Sequence, residues 1–291
     1  MDFKNAKELL QVCSENKMKI SEVMQKRECD LMDTTQDAIM DRMTEVYRIM
    51  KDSAKQAAEK SMKTMGGIIG GESRRLLQLA ESGKSLFPGI MARAAAYSMG
   101  VLEVNASMGL IVAAPTAGSS GVVPGVFLAY QEENHATDEE MVQALFNAGA
   151  IGYLAMRNAT VAGAVGGCQA EIGIAAAMAA SAVVELRGGT PEQCEDAAST
   201  VLMNMLGLVC DPVAGLVEYP CQNRNASGAA NALVAAEIAL AGNKQLIPLD
   251  QMIEAMYSVG RRLPAALRET ALGGCAITAA GQECAQCVFK S

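Results

Sequence analysis

The stretch VAGAVGGCQAEIGIAAAMAASAVV, residues 161–184, holds nine alanines in 24 residues. Alanine combines the highest helix propensity with a one-carbon side chain, so this run predicts a helix that its neighbours approach closely. Helix starts are legible on both sides of it. Thr137-Asp138-Glu139-Glu140 reads as a capping box, and Thr190-Pro191-Glu192 sets a proline at the first helical position after a threonine cap. A further helix is expected from about Glu72 to Glu81. No alternating pattern with hairpin turns competes, although Gly109-Leu110-Ile111-Val112 is short and apolar enough for a strand. These signals predict an all-α fold: a many-helix domain over residues 66–291 with an N-terminal helical appendage over residues 1–65.

Charge supports that division. Residues 1–65 carry 24 charged residues, whereas the remaining 226 carry 32, so the first segment is solvated and the rest mostly buried. Within the first segment Ile39, Met43, Val46 and Met50 form one apolar stripe at helical spacing. The loop Gly66-Gly67-Ile68-Ile69-Gly70-Gly71 lacks the Gly-Lys-Ser/Thr of a phosphate loop and reads as a connector or tight turn.

Composition excludes several functions. With 291 residues, a net charge of −8, 4 % aromatics and no tryptophan, the chain offers neither a basic surface nor stacking platforms for nucleic acid. Although 51 % of residues are hydrophobic, the longest uncharged stretch, 104–131, is broken by Pro115, Pro124 and several Gly and Ser residues, so no membrane span is expected. The single histidine, His135, lies in a polar loop and rules out a His-rich metal site. Nine cysteines, an odd number, together with an N-terminus unlike a signal peptide, point to free thiols in a reducing cytoplasm.

Three of those cysteines share a setting. Cys168 follows Gly166-Gly167, Cys210 precedes Asp211-Pro212, and Cys221 follows Pro220 ahead of an Ala-rich run. Each is expected near a helix N-terminus, where unpaired N–H groups and the helix dipole lower a thiol's pKa. Such thiolates suit soft iron-sulfur ligation, although the wide spacing taken alone favours buried structural thiols.

GGCQAEIGIAAAMAA (166–180), CDPVAGLVEYPCQNRNASGAANA (210–232) and IVAAPTAGSSGVVPG (111–125) closely resemble the signature segments of the iron-sulfur-dependent L-serine dehydratases, and more specifically the α subunit of the two-subunit type. The likeness covers most of residues 66–291. It implies a [4Fe–4S] cluster held by Cys168, Cys210 and Cys221 with one iron open. It also implies conversion of L-serine to pyruvate and ammonia by Lewis-acid-assisted β-elimination, oxygen sensitivity, and no need for pyridoxal phosphate (PLP). The alternatives are a related lyase acting on threonine or cysteine, and a cluster-binding sensor subunit without turnover.

Other site residues follow less directly. Thr116, Ser119 and Ser120 offer hydroxyls to a substrate carboxylate or ammonium, or simply close a turn. Asn223, Arg224 and Asn225 follow a proposed ligand and suit either cluster hydrogen bonds or helix capping, and Arg268 is a carboxylate-clamp candidate. Cys284 or Cys287 caps the open iron in the resting state, by likeness to single-chain relatives ending in a cysteine, or belongs to a frayed terminus. Cys13, Cys29 and Cys194 are assigned to packing or surface. The resemblance places the α-proton base on a smaller β subunit carrying a Ser-Ser-His-Thr motif.

Overall fold

A computed structural model describes every residue except Pro88 and Ser291. The described residues form α1 (Ala6–Asn16), α2 (Ile20–Met32), α3 (Gln36–Glu59), α4 (Glu72–Glu81), α5 (Ile90–Ala106), α6 (Val122–Asn134), α7 (Asp138–Asn158), α8 (Gly163–Gly166), α9 (Ile174–Leu186), α10 (Pro191–Asn204), α11 (Cys221–Leu240), α12 (Leu249–Arg262) and α13 (Ala279–Val288). No named strand is present among them, so 109–112 is not a strand; the β pairing they show is one isolated bridge between Cys210 and Arg268. The fold is all-α.

The expected helix starts are in place. Thr137 and Thr190 both form capping boxes, the second with Pro191 at the start of α10, and α4 spans the predicted Glu72–Glu81. The alanine run is entered through α8 and a π-helical segment, Gln169–Gly173, that continues into α9. Every residue of α9 from Ile174 to Glu185 is buried, and α6, α7, α10 and α11 pack around it. Residues 169–186 are long and apolar enough to cross a membrane by length and composition, yet they are 94 % buried inside the protein.

Small residues set how closely the helices approach. A side chain at Gly125 of α6 would stand 2.7 Å from the Ala94 carbonyl oxygen of α5, and one at Gly260 of α12 would stand 2.7 Å from the Gly166 Cα of α8. The N-terminal helices join the same core. Phe3, Leu9, Ile20 and Val23 are buried in one cluster with the α9 alanines, as are Ile39 and Met50 of the α3 stripe, with Met43 and Val46 packed against it. A buried acid ties these helices down: Glu185 near the end of α9 accepts from the Asn147 amide at 2.7 Å and from the Ser21 N–H in the first turn of α2 at 3.2 Å. A carboxylate there satisfies an orphan donor and complements the helix dipole.

Two glycines test the packing. Gly125→Ala forces α5 and α6 apart and should lower stability by about 1–3 kcal/mol. Gly149→Ala within α7, where an added methyl meets nothing within 4 Å, should raise it by about 0.5–1 kcal/mol by restricting the unfolded chain. Thermal melting followed by circular dichroism reads both; equal shifts in the two variants would contradict this packing.

Candidate functional site

Three segments far apart in sequence meet at one cavity of about 280 Å³. The first enters α9. Gly167 has φ 77°, where a side chain would also run into the Leu208 carbonyl oxygen at 2.8 Å. The Gln169 N–H donates to that same oxygen at 3.0 Å, so the start of the π segment lies directly on the chain leading to Cys210. Cys168 and Glu171, three residues apart around this turn, come to the same side. The second segment is extended: the Cys210 N–H donates to Leu267 O at 2.9 Å, and its carbonyl accepts from the Glu269 N–H at 2.7 Å. The third is the first residue of α11, Cys221.

All three cysteines are buried. The sulfurs of Cys168 and Cys210 and a carboxylate oxygen of Glu171 lie within 4.8 Å of one another, a group able to hold a metal ion. Cys210, Cys221 and Glu171 line the cavity together with Thr116, Gly118, Gly163 and Glu269. The Thr116 hydroxyl donates to Glu171 Oε1 at 2.6 Å. A side chain at Gly163 would overlap Glu171 Oε2 and stand 3.3 Å from the Cys210 sulfur, so only glycine leaves this space open.

Two expectations about the cysteines are corrected. Cys168 and Cys221 do begin helical segments, but Cys210 does not: only a three-residue 3₁₀ turn, Val213–Gly215, follows Pro212. With no helix to cap, the Asp211 carboxylate instead accepts the Cys275 N–H at 2.6 Å and pairs with Arg224 at 2.7 Å. Cys210 and Cys221 are also raised rather than lowered in pKa. Burial, with Cys168 and Glu171 nearby, pushes Cys221 up to about 12. The hydrogen bond with Cys168, together with burial, raises Cys210. Burial likewise raises Glu171, against the bond from Thr116. Desolvation outweighs the helix dipole here, and a soft metal that displaces the thiol protons reverses that balance.

The remaining candidates divide by what they touch. Thr116 faces the cavity, whereas Ser119 and Ser120 are fully buried and donate to Ala114 O at 3.3 Å and Ala117 O at 2.7 Å, closing their own turn. Asn225 pins that turn to α11: its amide donates to Gly118 O at 2.8 Å and Cys221 O at 2.9 Å, and its oxygen accepts from the Gly121 N–H at 3.0 Å. Arg224 lies 3.6 Å from the Cys168 sulfur and donates to Val209 O at 2.9 Å, while Asn223 is exposed. Arg268 is half-buried, outside the cavity lining, with its Nε buried and unpartnered. Cys284 is half-buried and Cys287 exposed on α13, a helix rather than a frayed end, packed against Val213–Gly215; neither lines the cavity. His135 is the exposed, left-handed C-cap of α6.

Sequence reasoning missed the acids. Glu171 carries one signal, its i, i+3 spacing from Cys168. Glu218 carries none. Its buried carboxylate accepts from the Gly66, Ile68 and Ile69 N–H groups at 2.6, 2.9 and 3.2 Å and from the Thr64 hydroxyl at 3.0 Å. The glycine loop is thus a cradle of N–H groups closed on an internal anion, three residues before Cys221. Glu103 secures the loop's other end, accepting from the Gly71 and Ser73 N–H groups and from Gln222 of α11.

A family model described as serine dehydratase alpha chain matches residues 15–276. The chain is 46 % identical over 287 residues to the probable L-serine dehydratase, alpha chain, of Bacillus subtilis (strain 168), covering 99 % of this chain and 95 % of that one. It is 45 % identical over 278 residues to the L-serine dehydratase, alpha chain, of Peptoniphilus asaccharolyticus, covering 96 % and 95 %. Against L-serine dehydratase TdcG of Escherichia coli (strain K12) the identity is 37 % over 287 residues, covering 95 % of this chain and 62 % of that longer protein.

The Glu218 clamp makes a local prediction. Glu218→Gln puts an amide donor among four donors and should destabilise the loop by about 1–3 kcal/mol. Hydrogen exchange at Gly66, Ile68 and Ile69 should then accelerate while the α9 amides keep their protection. Unchanged exchange at those three residues would show that the carboxylate is not what holds the loop.

Proposed function

The chain belongs to the serine dehydratase alpha-chain family, as an alpha subunit of the two-subunit L-serine dehydratase type, and we propose that it carries the iron-sulfur half of an L-serine ammonia-lyase. The reaction proposed is L-serine to 2-aminoacrylate and water, then hydrolysis to pyruvate and ammonia. The observation that supports it best is that two buried cysteines from separate segments, Cys210 and Cys221, line one small cavity, with the sulfur of a third, Cys168, within 4.8 Å of that of Cys210.

The donors fit a [4Fe–4S] cluster. Cys168, Cys210 and Cys221 would hold it as thiolates, leaving one iron without a cysteine from this set. Such a cluster, when bound, supplies a Lewis-acid iron that weakens the β-carbon to oxygen bond of serine, and pyridoxal phosphate has no part in the reading. Arg224, 3.6 Å from the Cys168 sulfur, stabilises negative charge on that ligand, and its ion pair with Asp211 holds it in place. Asn225 fixes Gly118 beside Cys221 and so keeps Thr116 facing the substrate space. Ser119 and Ser120 close the turn that carries Thr116, while Arg268, Asn223 and, on α13, Cys284 and Cys287 lie outside the cavity lining.

The chemistry is placed in residues 66–291, which supply every residue lining the cavity, with residues 1–65 as a helical support. His135 is exposed at the end of α6, which supports placing the α-proton base on a β chain that completes the site. Nine free cysteines suit a reducing cytoplasm.

Anaerobic reconstitution with the β chain tests this. The pair should show broad visible absorption, release pyruvate from L-serine faster than it deaminates threonine or cysteine, and lose both signals in air. Cys168→Ala, Cys210→Ala and Cys221→Ala should each abolish the absorption. A variant keeping a full complement of iron and sulfide removes its residue from the ligand set, and an intact cluster without pyruvate release sinks the lyase reading.

A further inference from the structure

Glu171 differs from the other buried acids near the site. Asp211 is paired with Arg224, Glu218 is wrapped by four donors, and Glu103 is held by two backbone N–H groups and Gln222. Glu171 receives only the Thr116 hydroxyl on Oε1 and a long contact from the Cys210 sulfur, 3.9 Å from Oε2. Among the described residues no lysine, arginine or histidine lines its cavity, and the other ionisable carboxylate there, Glu269, has the same sign. The ionised form of a buried carboxylate without a counter-charge is strongly unfavourable, so in that form Glu171 needs a cation delivered from outside the chain.

The substrate proposed above brings one. Serine presents a hydroxyl, a carboxylate and an ammonium group. If an iron takes the oxygen ligands, the ammonium still needs a desolvated partner. Thr116 fixes the carboxylate through Oε1 and leaves Oε2 facing the space that Gly163 keeps open. From this geometry we infer that Glu171, oriented by Thr116, is the subsite for the substrate's α-ammonium group and makes the cavity select amino acids over hydroxy acids. The inference rests on the lyase reading and extends it to one named contact.

The test uses the reconstituted two-chain enzyme with two ligands, L-serine and 3-hydroxypropanoate, which is serine without its amino group. Binding of each is read from the change in the cluster's visible spectrum. Glu171→Gln should keep the wild-type iron and sulfide content, weaken L-serine at least tenfold and change 3-hydroxypropanoate less than twofold. Glu171→Asp should recover part of the loss. Equal weakening of both ligands, or unchanged serine binding, overturns the proposal. Loss of iron from Glu171→Gln overturns it in favour of Glu171 as a metal ligand. Should Glu171→Gln fail to fold, Thr116→Val carries the same comparison: serine weakened threefold or more with 3-hydroxypropanoate unaffected supports the subsite, and parallel changes refute it. A wild-type pair that binds its cluster but releases no pyruvate fails the lyase reading before any variant is made.

Discussion

Two helices approach only as closely as the side chains between them permit, and the position of α9 follows from that limit. Its alanines let α6, α7, α10 and α11 crowd around one axis, and glycines do the same where α5 meets α6 and where α12 meets α8. Each alanine contributes little buried area, so α9 is held by many short contacts along its length. The reward is rigidity at the helix start. Cys168 and Glu171 sit where the π segment feeds a helix that has no room to move, which suits a site whose donor atoms must hold their separations within tenths of an ångström.

Around this core, buried acids stand in for missing backbone partners. Glu185 receives the start of α2, Glu103 the start of α4, and Glu218 the glycine loop between α3 and α4. Each lies far in sequence from most of its donors and locks a junction that hydrophobic contact alone would leave loose. Net stabilisation per bond is modest, but removing the acceptor strands several buried donors at once. Glu171 is the exception: among these buried acids, the one without a full set of donors is the one that lines the cavity.

Much of the fold was legible because helices announce themselves locally. Thr137, Thr190 and Pro191 mark helix starts through bonds made within three or four residues, and the alanine run marks the core helix by composition. The site was legible only in part. Cys168 and Cys221 lie at helix starts and were placed correctly by their flanking glycine and proline residues. Cys210 was not, because Asp-Pro reads as a helix cap while the partners that claim this segment, Leu267, Glu269, Arg224 and Cys275, are 14 to 65 residues away. Glu218 was invisible for the same reason: its backbone donors lie 149 to 152 residues upstream. A carboxylate reads as surface charge until something distant folds over it.

The charge balance of the cavity explains why helix dipoles alone do not make it reactive. Cys168, Cys210, Cys221 and Glu171 bring four potential negative charges into a buried space, and Arg224, which contacts the Cys168 sulfur, is already paired with Asp211. Ionising even two of the thiols without a further positive charge sets like charges together in a low dielectric; the hydrogen bond with Cys168 and burial raise Cys210, and burial raises Cys221. A metal centre changes the sign of this calculation, since each proton it displaces converts a desolvation penalty into a metal–sulfur bond. His135 is the exposed C-cap of α6 and does not line the cavity. On the proposed reading, proton transfer therefore waits for the partner chain, and assembly itself becomes the step that turns a metal-binding pocket into a catalyst.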